Sequence, residues 1–311
     1  MRALRLALSP AFGGGGGDRG TLMEADLDLL IVTPCHNEAV NIPPLANTLR
    51  QQEALAELLW RWIVVDDGSS DATADAARRF GRGLPLTVIS RRNSGGLLGG
   101  SAFGAWAAGV QHAADGKNLA AWTMKLDADV RLGAGYFGRV LSSAEGAQIA
   151  GGRLDDLANR EQNQHVQGAV KMYSSDVLQQ VLDLPKALGF DVMDEVLVRG
   201  LGGRVHVVAD ATYKVVRHTG ASEGLLRGRR RNGVMCRWTG YSTLYFILHL
   251  LRYLTRRPFM VGAVAVLLGY VTADLGPYPV ELKRRHVEEQ TAKLRELARS
   301  PLRWLRATYG S

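Results

Sequence analysis

Asp127 and Asp129, one residue apart in the stretch KLDADV (residues 125–130), are the side chains of this sequence best spaced for chemistry. In an extended strand, positions i and i+2 face the same way, so the pair can offer carboxylate oxygens to one hard divalent cation, Mg2+ or Mn2+. An isolated Asp-x-Asp is more often a strand that ends in solvated acids. This pair is accompanied by three further polar clusters: Pro34 with Asn37 and Glu38, Asp66 with Asp67, and Arg91 with Arg92.

Each cluster closes an apolar run. LDLLIVTP (27–34), WRWIVVDD (60–67), PLTVISRR (85–92) and AAWTMKLD (120–127) read as strands buried on both faces, and helical patterns separate them. Alternating strands and helices call for βαβ units and a mostly parallel sheet. Functional groups in such sheets gather outside the carboxyl ends of the strands, where all four clusters fall. Ser70 or Asp71 is expected to cap the helix after the second run. A Gly15-Gly17-Gly20 match to G-x-G-x-x-G has no strand before it and carries no weight.

The segments IVTPCHNEAVNI, WIVVDDGSSDAT, RRNSGGLLGGSAFGAWAAG and KLDADV, in this order and at these distances, resemble the family 2 glycosyltransferases. The resemblance implies a Rossmann-like GT-A (nucleotide-diphospho-sugar transferase) fold and an inverting, metal-dependent transfer of a sugar from a nucleotide-diphospho-sugar to a saccharide or lipid-linked hydroxyl. Carried over, Pro34, Asn37 and Glu38 line the nucleotide pocket, Asp66 or Asp67 accepts a hydrogen bond from the base, and Arg92 reaches the diphosphate or base. Asp129 is the expected direct metal ligand, with Asp127 on the ribose or the metal's waters, and His218 completes the metal site. The attacking hydroxyl needs a carboxylate base, for which GFDVMDEVLVRG (189–200) offers Asp194 and Glu195 at the start of a helix, with Asp191 third. The family has Glu-Asp here and this chain has Asp-Glu, so the choice stays open. Val196, Leu197 and Leu201 are expected as that helix's buried stripe. Arg227, Arg229, Arg230 and Arg231 are expected in a mobile loop that closes over the diphosphate. Rival readings are a catalytically silent membrane-associated scaffold and a sugar-1-phosphate nucleotidyltransferase, whose glycine-rich start is absent after the first strand.

The 311 residues have 46% apolar and 22% charged composition, ordinary for a folded chain, and only two cysteines, which exclude a disulfide framework and suit a reducing, cytoplasmic setting. Residues 1–216 hold 21 Lys and Arg against 24 Asp and Glu, whereas residues 217–311 hold 17 against 6. That basic third carries two apolar, aromatic-rich helical runs between 240 and 275, too short to span a bilayer, and reads as a region lying in the cytoplasmic face of a membrane, the alternative being a helical hairpin packed against the catalytic domain or a twin subunit. No nucleic-acid module accompanies the charge. The expected organisation is a flexible tail at 1–26, a catalytic domain at 27–239 and a helical region at 240–311. The last helix is expected to bury Leu294 and Leu297. Sugar, acceptor and oligomeric state are not legible.

Overall fold

The four apolar runs form neighbouring parallel strands, β1 (Leu27–Cys35), β2 (Trp60–Asp67), β3 (Leu86–Arg91) and β4 (Ala120–Leu126), in the order β3-β2-β1-β4. The structure is a computed structural model that describes residues 27–93, 100–116, 120–155, 165–216, 224–254 and 259–300. The expected tail at 1–26 lies outside them. Leu29–Val32 and Trp62–Val65 are buried at every position because helices cover both faces. Leu29, Ile31, Trp62 and Val64 point to the layer containing α1 (Ile42–Arg50), α2 (Thr73–Phe80) and α4 (Tyr136–Ser143). Leu30, Val32, Ile63 and Val65 point to Phe103 and Trp106 of α3 (Gly100–Asp115). The period-2 alternation of strand side chains thus makes two cores from one sheet.

Beyond β4 the sheet continues through β5 (Val130–Leu132), β6 (Ile149–Leu154), β7 (Val170–Ser174) and β8 (Val205–Val215), in the spatial order β7-β6-β8-β5. β7 is antiparallel to β4 and sets Lys171 directly opposite Lys125. The Asp pair is not on a strand. β4 ends at Leu126, and Asp127–Asp129 form a tight turn closed by Val130 N–H donating to Asp127 O at 3.2 Å. After α5 (Ser175–Leu182), α6 (Phe190–Gly200) begins four residues ahead of Asp194, which puts Asp191 in the first turn and Asp194-Glu195 in the second. Leu201, expected on the buried stripe, is 57% exposed, because the helix has ended before it.

The C-terminal helices are α7 (Leu225–Trp238), α8 (Thr243–Leu254), α9 (Phe259–Thr272) and α10 (Val280–Arg299). The mobile arginine loop expected at 227–231 is therefore corrected: those arginines ride on α7, which is held against α9. A Cβ at Gly233 would lie 1.9 Å from Val266 O, and one at Gly269 1.9 Å from Arg230 O, so the two backbones touch. α10 buries Leu282, His286 and Gln290 instead of Leu294 and Leu297, which are only half-buried. His286 Nδ1 lies 2.7 Å from Thr239 O, and Gln290 Oε1 accepts from Ser242 N–H at 2.8 Å. At the same end of α7, Met235 and Thr239 press on Gly189. No described helix is long and apolar enough to cross a membrane. Replacing Gly233 by Ala should cost about 1–3 kcal/mol of stability by forcing α7 off α9, read as a lower urea midpoint.

Candidate active site

The loops after β1 and β2 are bound into one unit. Asn37 adopts φ 57°, a left-handed conformation that asparagine tolerates. From there its amide N–H donates to Ser69 Oγ (2.9 Å), and its side-chain oxygen accepts from Ser70 N–H (2.8 Å) and Asp71 N–H (3.4 Å). Glu38 N–H donates to Thr73 Oγ1 (2.8 Å), and His36 Nδ1 to Asp67 O (2.9 Å). Asp71, expected as a helix cap, accepts from Thr73 N–H and Ala39 N–H, so it joins the loops while α2 starts without a side-chain cap. Asp66 accepts from Ser69 N–H at 3.0 Å. Asp67 is buried, accepts from Ser101 of α3, and lies 2.9 Å from Arg91 Nε. Of the two strand-end arginines, Arg91 is thus committed to Asp67, and Arg92 is exposed.

The loops of β1 and β2 meet the Asp turn at Cys35 and Arg131. Burial first, and then the fields of Glu38, Asp127, Asp66 and Asp71, push the Cys35 thiol well above its usual pKa. Carboxylates near the carboxyl ends of three strands therefore act on one buried side chain, with Pro34 preceding it on β1. Arg131 donates to Asn41 Oδ1 (3.1 Å) and to the Ala128 and Val130 carbonyls (3.1 and 2.8 Å). Burial lowers its pKa against the opposing fields of Asp129 and Glu38. Asp127 and Asp129 are both half-buried with buried Ala128 between them. Asp127 pairs with Lys125, whose Nζ also donates to Gly168 O at 2.8 Å, while Asp127 N–H donates to Ala169 O at 2.9 Å.

The three carboxylates of α6 are in different situations. Asp194 is fully buried and accepts from Lys171 Nζ (3.0 and 3.1 Å) and Tyr173 Oη (2.6 Å). Burial raises its pKa, with Lys171 opposing. Glu195 is also buried, but Lys171, His165 and Arg199 lie 3.1, 3.0 and 3.2 Å from its oxygens. Burial alone would raise its pKa; Lys171, the His165 imidazole and Arg199 together outweigh it and hold the carboxyl well below the usual range. Asp191 is half-buried, packs against Gly168, and its carboxylate accepts no hydrogen bond among the described residues, although its main-chain oxygen accepts from Lys171 Nζ. The structure therefore brings Asp191 to Gly168, whose carbonyl accepts from Lys125, and turns Asp194 and Glu195 inward.

Of the other expected site residues, Arg230 is exposed on α7 and His218 lies outside the described residues. Among the described residues no three His, Cys, Asp or Glu side chains gather as a ready-made metal site. Lys125, Lys171 and Arg131 were missed at the sequence level. The available signal was a lysine inside a run otherwise destined for burial, because lysine is almost never fully buried unless paired.

The family model described as Glycosyl transferase family 2 matches residues 30–187. No curated protein matches this chain. Mannosyltransferase PcManGT from Pyrobaculum calidifontis, solved with GDP-Man and Mn2+, is similar at 14% identity and TM-score 0.54, covering 96% of this chain and 81% of that one. TarS 1–349 from S. aureus, solved with UDP-GlcNAc, is similar at 14% identity and TM-score 0.50, covering 88% of this chain and 92% of that one. Both likenesses are of fold.

Glu195 has a lower pKa folded than unfolded, so the stability it contributes is complete above the unfolded value of about 4.3 and drains away as pH falls through the folded one. Glu195→Gln should cost about 3–5 kcal/mol at neutral pH by urea denaturation. The gap from wild type should narrow as the pH is lowered below about 4.

Proposed function

The chain belongs to glycosyl transferase family 2 and is a glycosyltransferase, and from that membership we propose an inverting, metal-dependent enzyme that moves a sugar from a nucleotide-diphospho-sugar to a saccharide or lipid-linked hydroxyl at the cytoplasmic face of a membrane. The observation that carries this reading is the placement of Asp127 and Asp129 on one turn at the carboxyl end of β4, tied through Arg131 to Asn41 in the loop after β1, with Asp66 at the carboxyl end of the neighbouring β2.

Asp127 and Asp129 would hold Mg2+ or Mn2+, with His218 as a further proposed ligand. Two half-exposed carboxylates on one turn fit such an ion, which takes one or two carboxylates and fills its remaining positions with water and substrate phosphates. The similar Pyrobaculum enzyme was solved with GDP-Man and Mn2+, which supports the assignment. When bound, the ion supplies charge neutralisation for a departing diphosphate. Pro34, Asn37, Glu38 and Asp66 would form the nucleotide wall. Asn37 does so by holding the two loops together, since its side-chain oxygen is already taken by Ser70 and Asp71. Arg92, free of the Asp67 pair, would meet the diphosphate.

Asp191 is the proposed base. A general base must reach the acceptor hydroxyl and be able to take its proton. Asp194 is sealed from solvent, and Glu195 is buried against Lys171, His165 and Arg199, which hold it ionised and unreactive. Asp191 alone of the three is half-exposed, beside the Gly168 that Lys125 links to Asp127. In one displacement the acceptor oxygen bonds to the anomeric carbon as its proton passes to Asp191. The bond from that carbon to the diphosphate oxygen breaks, and the nucleoside diphosphate leaves with the electron pair, inverting the centre.

Asp191→Asn should lower kcat by roughly 10²–10⁴-fold while donor binding with Mn2+, read by thermal shift, stays at wild-type strength. Retained turnover in this variant would remove Asp191 from the role. Asp129→Ala should abolish both turnover and the Mn2+-dependent part of donor binding with an unchanged circular dichroism spectrum; metal-dependent donor binding in that variant would contradict the metal assignment.

A further inference from the structure

We propose that α8 and α9 form an anchor that inserts into one leaflet of an anionic membrane and holds the catalytic domain against it. The inference rests on the proposed function only for why the enzyme should work at a membrane; the anchor itself is argued from geometry and charge.

The direction of the helices comes from their contacts. Tyr270, near the end of α9, stacks on Phe246 near the start of α8 with ring centroids 3.8 Å apart, and its hydroxyl donates to Tyr241 O at 3.3 Å. Trp238, at the end of α7, donates to Asp274 just beyond α9 at 2.7 Å. So α7 and α9 run the same way, in direct contact, and α8 runs back beside them. The root of this unit, where α7 ends, packs on Gly189, two residues before Asp191. The far end gathers the start of α7, the end of α8 and the start of α9.

What these helices expose is apolar. On α8, Leu244, Ile247, Leu248 and Leu251 recur at helical spacing as one exposed stripe. On α9, Val261, Val264, Leu268 and Val271 form a second. At the far end Leu225, Leu254 and Phe259 are exposed, and Met260 is 71% exposed. A soluble surface rarely leaves so many large apolar side chains contiguous.

Length and charge identify what covers them. At 12 and 14 residues, α8 and α9 are about 18 and 21 Å long. That is too short for a hydrocarbon core of about 30 Å, so the exposed apolar stripes enter one leaflet from its surface while the arginines stay at the head groups. Residues 224–273 contain eight arginines and no aspartate or glutamate. A two-fold contact between copies would set this basic surface against itself, with no carboxylate in the segment to pair with. Anionic head groups supply the missing charge, with Arg227 exposed beside the apolar tip. The anchor is rooted beside Asp191, so it brings the acceptor side of the site toward lipid.

The test is flotation of the full chain with vesicles of phosphatidylcholine alone or mixed with phosphatidylglycerol. The wild type should float with the mixed vesicles, and Leu251→Glu/Val264→Glu should reduce the bound fraction roughly tenfold or more. Arg227→Ala should weaken binding to mixed vesicles and reduce its salt dependence. Both glutamates enter exposed positions, so thermal melting should be unchanged; if the double variant does not fold, Met260→Glu at the tip carries the same expectation. Failure of the wild type to float, equal flotation of the variants, or a wild-type dimer that Leu251→Glu/Val264→Glu dissociates with no vesicle binding by either would overturn the anchor. Donor binding is read separately by thermal shift. Flotation without donor binding would count against the catalytic reading alone, and donor binding without flotation against the anchor alone.

Discussion

Lys125 and Lys171 face each other across β4 and β7, both buried, at the place where the sheet changes from parallel to antiparallel pairing. Like charges opposite one another in a sheet repel, and a buried ammonium is tolerable only when paired and hydrogen-bonded. Each lysine has therefore taken its own acceptors. Lys125 holds Asp127 and the Gly168 carbonyl, and Lys171 holds Asp194, Glu195 and the Asp191 carbonyl. The two halves of the candidate site are the two answers to one electrostatic constraint. Asp127 is positioned by the first lysine, and the helix that carries the proposed base by the second.

The second answer extends across the molecule. Glu195 passes its charge balance to Arg199, which makes a two-pronged pair with Glu289 of α10, both N–O distances 3.0 Å. α10 in turn receives α7 and α8 at Thr239 and Ser242. The helix that presents Asp191 is thus fixed from below by a buried ion cluster and from the side by the C-terminal helices. A base that must meet a hydroxyl within hydrogen-bond reach gains from being held this way. The same connections make the C-terminal helices part of the site's support.

On the donor side the constraint is hydrogen-bond satisfaction in loops. Asn37 fills the acceptor needs of the Ser70 and Asp71 amides only because it takes a left-handed conformation, and that single residue registers the β1 loop on the β2 loop. Arg131 performs the corresponding task between the β1 loop and the Asp turn. Neither residue needs to touch a donor for the proposed donor wall to depend on it.

The parallel strands and their order of appearance were legible from apolar runs alone, because burial on both faces demands uninterrupted hydrophobic sequence. So was the placement of Asp66, Asp67, Asp127 and Asp129 at strand ends, since acids that close such runs have nowhere else to go. The family resemblance named the fold, which the match over residues 30–187 and the similar solved structures bear out. What sequence could not decide is which of several neighbouring like residues does what. Arg91 and Arg92, or Asp191, Asp194 and Glu195, are equivalent in type and nearly so in spacing. They differ only in the side of a strand or helix they occupy and in which cation, from a segment far away in the chain, arrives there. Helix phase was readable in principle, but α6 starts earlier than its acids imply, and one turn of difference exchanges the buried carboxylate for the open one. The arginines of α7 likewise read as a loop because two glycines interrupt them. Only packing reveals that Gly233 in the same helix exists to let α9 approach its backbone. Local pattern sets what a segment can become; partners distant in sequence set which of its side chains face solvent, and that is a tertiary decision.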